Sequence, residues 1–101
     1  MLDVVRSRNG IPVRLTDERW SHIVEEHNEL AGMRFDILET VAEAEKVVAG
    51  GFGECLAIRE HESGKWLVVV YRELVEDGFI ITAFLTRRNA PLNRRRQLWP
   101  H

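Results

Sequence analysis

Three short segments carry side chains whose types and spacing suit phosphate chemistry. The first reads Trp20-Ser21-His22-Ile23-Val24-Glu25-Glu26-His27. Imidazole titrates near neutral pH, so His22 and His27 are candidate acid–base groups. They stand five residues apart, about 140° around a helix. They therefore do not grip one metal together as an i, i+4 pair does, and the zinc motif His-Glu-x-x-His is absent. His27 shares the helical spacing of Trp20, Ile23 and Val24, so it is expected on the core-facing side. A histidine there is more often a core residue with one nitrogen satisfied. His22 lies off that stripe, as an exposed helix residue or a catalytic base.

The second segment is Phe79-Ile80-Ile81-Thr82-Ala83-Phe84-Leu85-Thr86-Arg87-Arg88. Period-two alternation puts Thr82 and Thr86 on one strand face with Ile80 and Phe84. Two hydroxyls next to the guanidinium groups of Arg87 and Arg88 suit a phosphate, because arginine binds phosphate as a fork. The plain alternative is that the threonines are there as β-branched strand formers. The third segment is Tyr71-Arg72, at the end of the neighbouring strand, where Tyr71 is a candidate proton donor or stacking platform and Arg72 a candidate phosphate ligand. Here the alternative is a half-buried tyrosine beside a surface arginine. Cys55 is the sole cysteine, which excludes an internal disulfide and a cysteine-based zinc site. Neither a metal nor a cofactor is expected.

The elements that must position these groups follow from turn and cap signals. Asn9-Gly10 lies between two short apolar-alternating runs, a tight hairpin signal. Thr16 is an N-cap candidate, followed by Asp17 and Glu18, where the helix dipole favours acids. That helix is expected to reach about Asn28, and a second to span about residues 33–43. Strands are expected over residues 46–49, 54–60, 65–72 and 79–86, joined by tight turns and therefore antiparallel. Pro91 can open a final short helix over about residues 92–98. The fold class is α+β: two helices on an antiparallel meander of about four strands, with an N-terminal hairpin and a basic C-terminal helix or tail at residues 88–101.

The 101 residues suit one domain, with 45% hydrophobic and 30% charged residues excluding a disordered chain. The longest apolar run, residues 66–71, is far short of the roughly 20 residues of a membrane helix. No secretory leader is evident, so a cytoplasmic protein without membrane partners is expected. Charge is uneven. Residues 1–77 hold 16 acids and 9 bases, while residues 78–101 hold five arginines and no acid. That basic end suits a polyanion such as RNA, or an acidic protein surface.

Together these segments resemble the small phage-associated nuclease-like domains of the Barnase–EndoU–colicin–RelE superfamily. The resemblance runs from about Ile11 to Arg88. It rests on Trp20, His22, Ile23 and His27 of the helix, Val68–Tyr71 of the central strand and Ile81–Thr86 of the last strand. Asn28-Glu29 departs from the Pro-Glu dipeptide common after the second histidine. The resemblance implies a metal-independent endoribonuclease, an activity that several members of the superfamily use as toxins, acting by 2′-OH attack. His22 and His27 would then be acid and base, Tyr71 a donor, Thr82 and Thr86 phosphate or ribose ligands, and Arg72, Arg87 or Arg88 the cation. The implied partners are RNA, with tRNA as a narrow target, and an antitoxin or immunity protein, for a monomer or homodimer. The competing expectations are a non-catalytic protein-interaction module and a domain that binds RNA without cutting it. The nuclease reading requires His22 to approach the Thr86 end of the sheet.

Overall fold

A computed structural model describes residues 2–101 as an α+β fold with one mixed sheet. The strands are β1 (Asp3–Arg6), β2 (Pro12–Leu15), β3 (Lys46–Ala49), β4 (Cys55–Glu62), β5 (Lys65–Glu73), β6 (Gly78–Thr86) and β7 (Gln97–Trp99). The helices are α1 (Asp17–Glu26), α2 (Arg34–Ala42) and the single turn α3 (Ala90–Asn93). No helix is long and apolar enough to cross a membrane.

The expected meander forms the middle of the sheet, β3-β4-β5-β6, entirely antiparallel. The sheet is larger than the four strands expected, with order β1-β2-β6-β5-β4-β3-β7. On one side the N-terminal hairpin joins it through a short parallel pairing, Val13 opposite Gly78 and Arg14 opposite Phe79. The turn of that hairpin is anchored to the end of β5. Ser7 Oγ donates to Glu73, and Asn9 Nδ2 donates to Glu73 Oε1 at 3.0 Å. On the other side the expected C-terminal helix is replaced. Only Ala90–Asn93 is helical, and residues 97–99 pair antiparallel with β3. Leu98 and Trp99 thereby reach the core, which a solvated helix would not provide.

Thr16 caps α1 as its sequence suggests, accepting from the Arg19 N–H at 3.1 Å. The helix stops at Glu26, and His27 is its C-cap, with its N–H on Ile23 O at 2.8 Å. A 3₁₀ turn over Asn28–Leu30 follows and buries Leu30. Arg34 at the start of α2 joins three elements, meeting Asp3 at 2.7 Å and Asp17 at 2.9 Å.

Both long helices pack on one face of the sheet. Ile23, Leu30, Ile37 and Val41 meet Val13, Leu15, Val47, Ala57, Leu67, Val69, Tyr71 and Ile80 there. The opposite face has a smaller apolar cluster, in which Leu92 of α3 covers Val48, Leu56, Ile58 and Val68. Beyond α3 this second face is open. Ile23 is fully buried, so Ile23→Ala removes buried methyl groups and leaves a void. It should cost about 2–5 kcal/mol. Urea titration should show a lower midpoint with an unchanged slope.

Candidate nucleic-acid interface

The geometry of the open face is set by a bulge. In the β5–β6 ladder Val70 faces Thr82 but Tyr71 faces Ile80, so Ile81 is an extra residue. An extra residue reverses the side-chain parity of everything beyond it. Ile80 therefore points into the helix-side core, whereas Thr82, Phe84 and Thr86 turn to the open face beside Val70, Val68 and Trp66. This corrects the expectation that Ile80 and Thr82 share a face. Simple alternation cannot register a bulge.

The same parity places cations on the open face. Arg6 alternates with Val5, Arg14 lies between buried Val13 and Leu15, Lys46 precedes buried Val47, and Arg72 follows buried Tyr71. Several are held by neutral acceptors. Arg6 Nη1 donates to Gly10 O at 2.8 Å, Arg72 Nη2 to Phe52 O at 2.7 Å, and Arg95 Nη1 to Ala49 O at 3.2 Å. Lys46 Nζ donates to Asn93 Oδ1. A carbonyl or amide oxygen orients a cation without neutralising it, so the positive charge remains available to an anion. Arg14 is the exception, paired with Asp77 at 2.6 Å while lying over the Phe79 ring. Glu54 carries a negative charge that two of these cations, Arg72 and Arg95, feel. Its own backbone N–H and that of Phe52 hold its pKa below the ordinary carboxylate value, with Arg72 and Arg95 adding to the effect.

Glycines make room for Arg72. A Cβ on Gly78 would stand 2.4 Å from Arg72 O, and one on Gly53 would stand 3.1 Å from Arg72 Nη1. Gly53 also holds φ at +88°, where side chains are strained.

Of the residues expected to form one site, Thr86 and Arg88 come together on this face, while Thr82 shares the face and Arg72 lies towards the opposite end of the β5–β6 ladder from Thr86. Thr86 Oγ1 accepts from the Arg88 N–H at 3.0 Å, and both residues line a cleft with Arg95. The Thr82 hydroxyl and Asn89 Oδ1 are buried without a hydrogen-bond partner. Arg87 is exposed and forms no ion pair among the described residues.

Tyr71 is not at the surface. It is fully buried beside Cys55, its partner across the β4–β5 ladder, and its hydroxyl has no protein acceptor of good geometry. Burial, then the Cys55 and Glu73 charges, push its pKa upward from 10.0. A phenol so withdrawn reaches no substrate and gives up no proton near neutral pH.

The histidines lie with the helix layer. His22 is half exposed, with Nε2 3.6 Å from Glu26 Oε1. It lines a groove with Thr16, Glu18, Arg19, Ser21 and Glu25. His27 is not within the helix and not in the core. It is about one-third exposed at the helix end, with Nδ1 3.9 Å from Glu29 Oε2. The helix carrying His22 covers the Tyr71 face, whereas the Thr86 side chain points to the other. The expected union of His22 with the Thr86 end of the sheet is therefore not formed.

Sequence reasoning had Arg95 only as part of the basic chain end and missed Arg6, Arg14 and Lys46 as members of this surface. Their signal was alternation with buried valines, legible once the strands are paired. Among the described residues no group of three or more His, Cys, Asp or Glu side chains is placed to hold a metal. No family model matches the chain, and no curated protein or solved structure matches it.

Replacing Tyr71 by Phe removes a buried hydroxyl that has no partner. Stability at neutral pH should be unchanged or raised by up to about 1–2 kcal/mol. The raised pKa values of Cys55 and Tyr71 also fix a sign. Above their ordinary values of 9.0 and 10.0 the unfolded chain loses protons that the folded chain keeps, so stability falls as pH rises. Urea titrations between neutral and alkaline pH should show that decline, and Tyr71→Phe should make it shallower.

Proposed function

We propose that the chain is an RNA-binding domain with a nuclease-like architecture, whose open sheet face receives the phosphate backbone. The observation that carries this reading is the set of open-face cations bonded to neutral oxygens: Arg6, Lys46, Arg72 and Arg95. Arg88 and the Thr86 hydroxyl share a cleft with one of them, Arg95. Trp66 and Phe84, both partly exposed on the same face, add aromatic surface of the kind on which bases stack. Arg87, Arg94 and Arg96 are exposed and extend the positive field from the chain end.

The groove around His22 is a poorer place for a phosphate. Glu18 and Glu25 line it, and Glu26 adjoins the imidazole. Each carboxylate about 4 Å from a phosphate would oppose it by about 1 kcal/mol in water and up to ~4 kcal/mol at a protein surface. Arg19 is the one arginine or lysine lining the groove, against the two glutamates. On these magnitudes the open face binds the polyanion.

A second reading, a metal-independent endoribonuclease, keeps one supporting observation: Glu26 lies where it can orient the His22 imidazole. In that chemistry the base removes the ribose 2′-OH proton, the 2′ oxygen attacks phosphorus, and the 5′ oxygen leaves with a proton. The resemblance to the Barnase–EndoU–colicin–RelE superfamily supports either reading. An antitoxin-like acidic partner would compete for the same basic face.

Binding of a fluorescent single-stranded RNA should weaken steeply with salt. About four phosphate contacts imply a roughly fifty-fold loss between about 50 and 200 mM. The Arg72→Gln/Arg88→Gln/Arg95→Gln variant should bind weakly and with a shallower salt slope. His22→Ala/His27→Ala should bind as the parent does. Incubation of the parent with total RNA and tRNA in EDTA separates the readings. Intact RNA supports binding alone, whereas 2′,3′-cyclic phosphate ends lost in the histidine variant would establish the nuclease.

A further inference from the structure

Beside α3 the open face sinks into a cleft of about 260 Å³. Leu56 and Leu92, both nearly buried, give it an apolar base, and the partly exposed Phe84 forms one side. Thr86, Arg88 and Arg95 supply a polar, cationic rim. Pockets that enclose drug-sized molecules run from about 300 to 1,000 Å³, so this cleft suits something smaller, such as one flat heterocycle. Apolar and aromatic walls favour the face of a ring, while the rim favours an anion attached to it. A nucleobase with its own phosphate has both features. Trp66 continues the aromatic surface, because it lies opposite Thr86 in the ladder and on the same face as Phe84.

We infer that this cleft takes one unstacked base of a single-stranded RNA, with Arg88 and Arg95 on the adjoining phosphates. The inference rests on the RNA-binding reading above and adds the substrate class: unpaired rather than duplex RNA. An A-form duplex keeps its bases stacked and offers only backbone and groove edges. It would meet the cations of the open face but leave the cleft empty.

The test uses the full chain with three fluorescent probes: a short single-stranded RNA, the same strand in a duplex, and the single strand with abasic residues. The parent should bind the single strand about ten-fold or more tighter than the duplex or the abasic strand. Phe84→Leu keeps the apolar wall but removes the ring, and should reduce single-strand affinity to near the duplex level while duplex affinity stays constant. Thr86→Tyr, at the partly exposed rim, should obstruct the cleft with the same result, which covers a folding failure of the first variant. Circular dichroism verifies folding of both. Equal affinity for all three probes, or a parent-like preference in either folded variant, overturns the base-binding cleft while leaving RNA binding standing. No measurable binding of any probe overturns both.

Discussion

The extra residue Ile81 in the β5–β6 ladder is the constraint on which the arrangement depends. β5 is the middle strand of seven, and the bulge lies halfway along its pairing with β6. Before it, β6 points Ile80 at the helices. After it, Ala83 and Leu85 point there instead. Without the added residue, Thr82, Phe84 and Thr86 would face the helix layer. The Thr86 hydroxyl, which accepts from the Arg88 N–H, would then be turned into the larger apolar core at a cost if left unpaired there. The bulge lets one strand both complete the helix-side core and furnish the polar, aromatic half of the opposite face.

The two faces consequently differ in charge as well as in packing. On the helix side, charges occur largely in opposed pairs: Arg34 with Asp3 and Asp17, Arg59 with Glu39, and Arg8 with Glu43. On the open face, Arg6, Arg72 and Arg95 are bonded to backbone carbonyls. A carbonyl fixes the guanidinium plane at little conformational cost to a later partner, and it leaves the unit charge in place. This is how a chain with net charge −2 presents a face suited to a polyanion. On the proposed reading, the placement of acids relative to the sheet is more informative about a partner than net charge alone.

Local signals were legible in the sequence. The Thr16 cap, the Asn9-Gly10 turn and strands β3 to β6 follow from short-range chemistry, and each lies within a residue or two of its expected limits. Long-range pairings were not legible. The parallel contact of Val13 with Gly78 and the docking of residues 97–99 on β3 depend on which edges remain free after the meander forms. For the candidate site, Arg72, Thr82, Thr86 and Arg88 were found from residue type and strand position. His27 was misread because helical spacing was extended past Glu26, where the helix ends. Tyr71 was misread because a strand-end position suggested exposure, whereas the added hairpin strands and the helices bury it completely.

The most direct test of an RNA-binding open face is photocrosslinking of a short single-stranded RNA carrying 4-thiouridine, with the crosslinked peptides mapped by mass spectrometry. The account predicts crosslinks on the peptides that carry Trp66, Arg72 and Phe84, reduced by the Arg72→Gln/Arg88→Gln/Arg95→Gln variant. Crosslinks concentrated on the α1 peptide that carries Arg19 and His22, unaffected by that variant, would contradict it and move the RNA to the histidine groove.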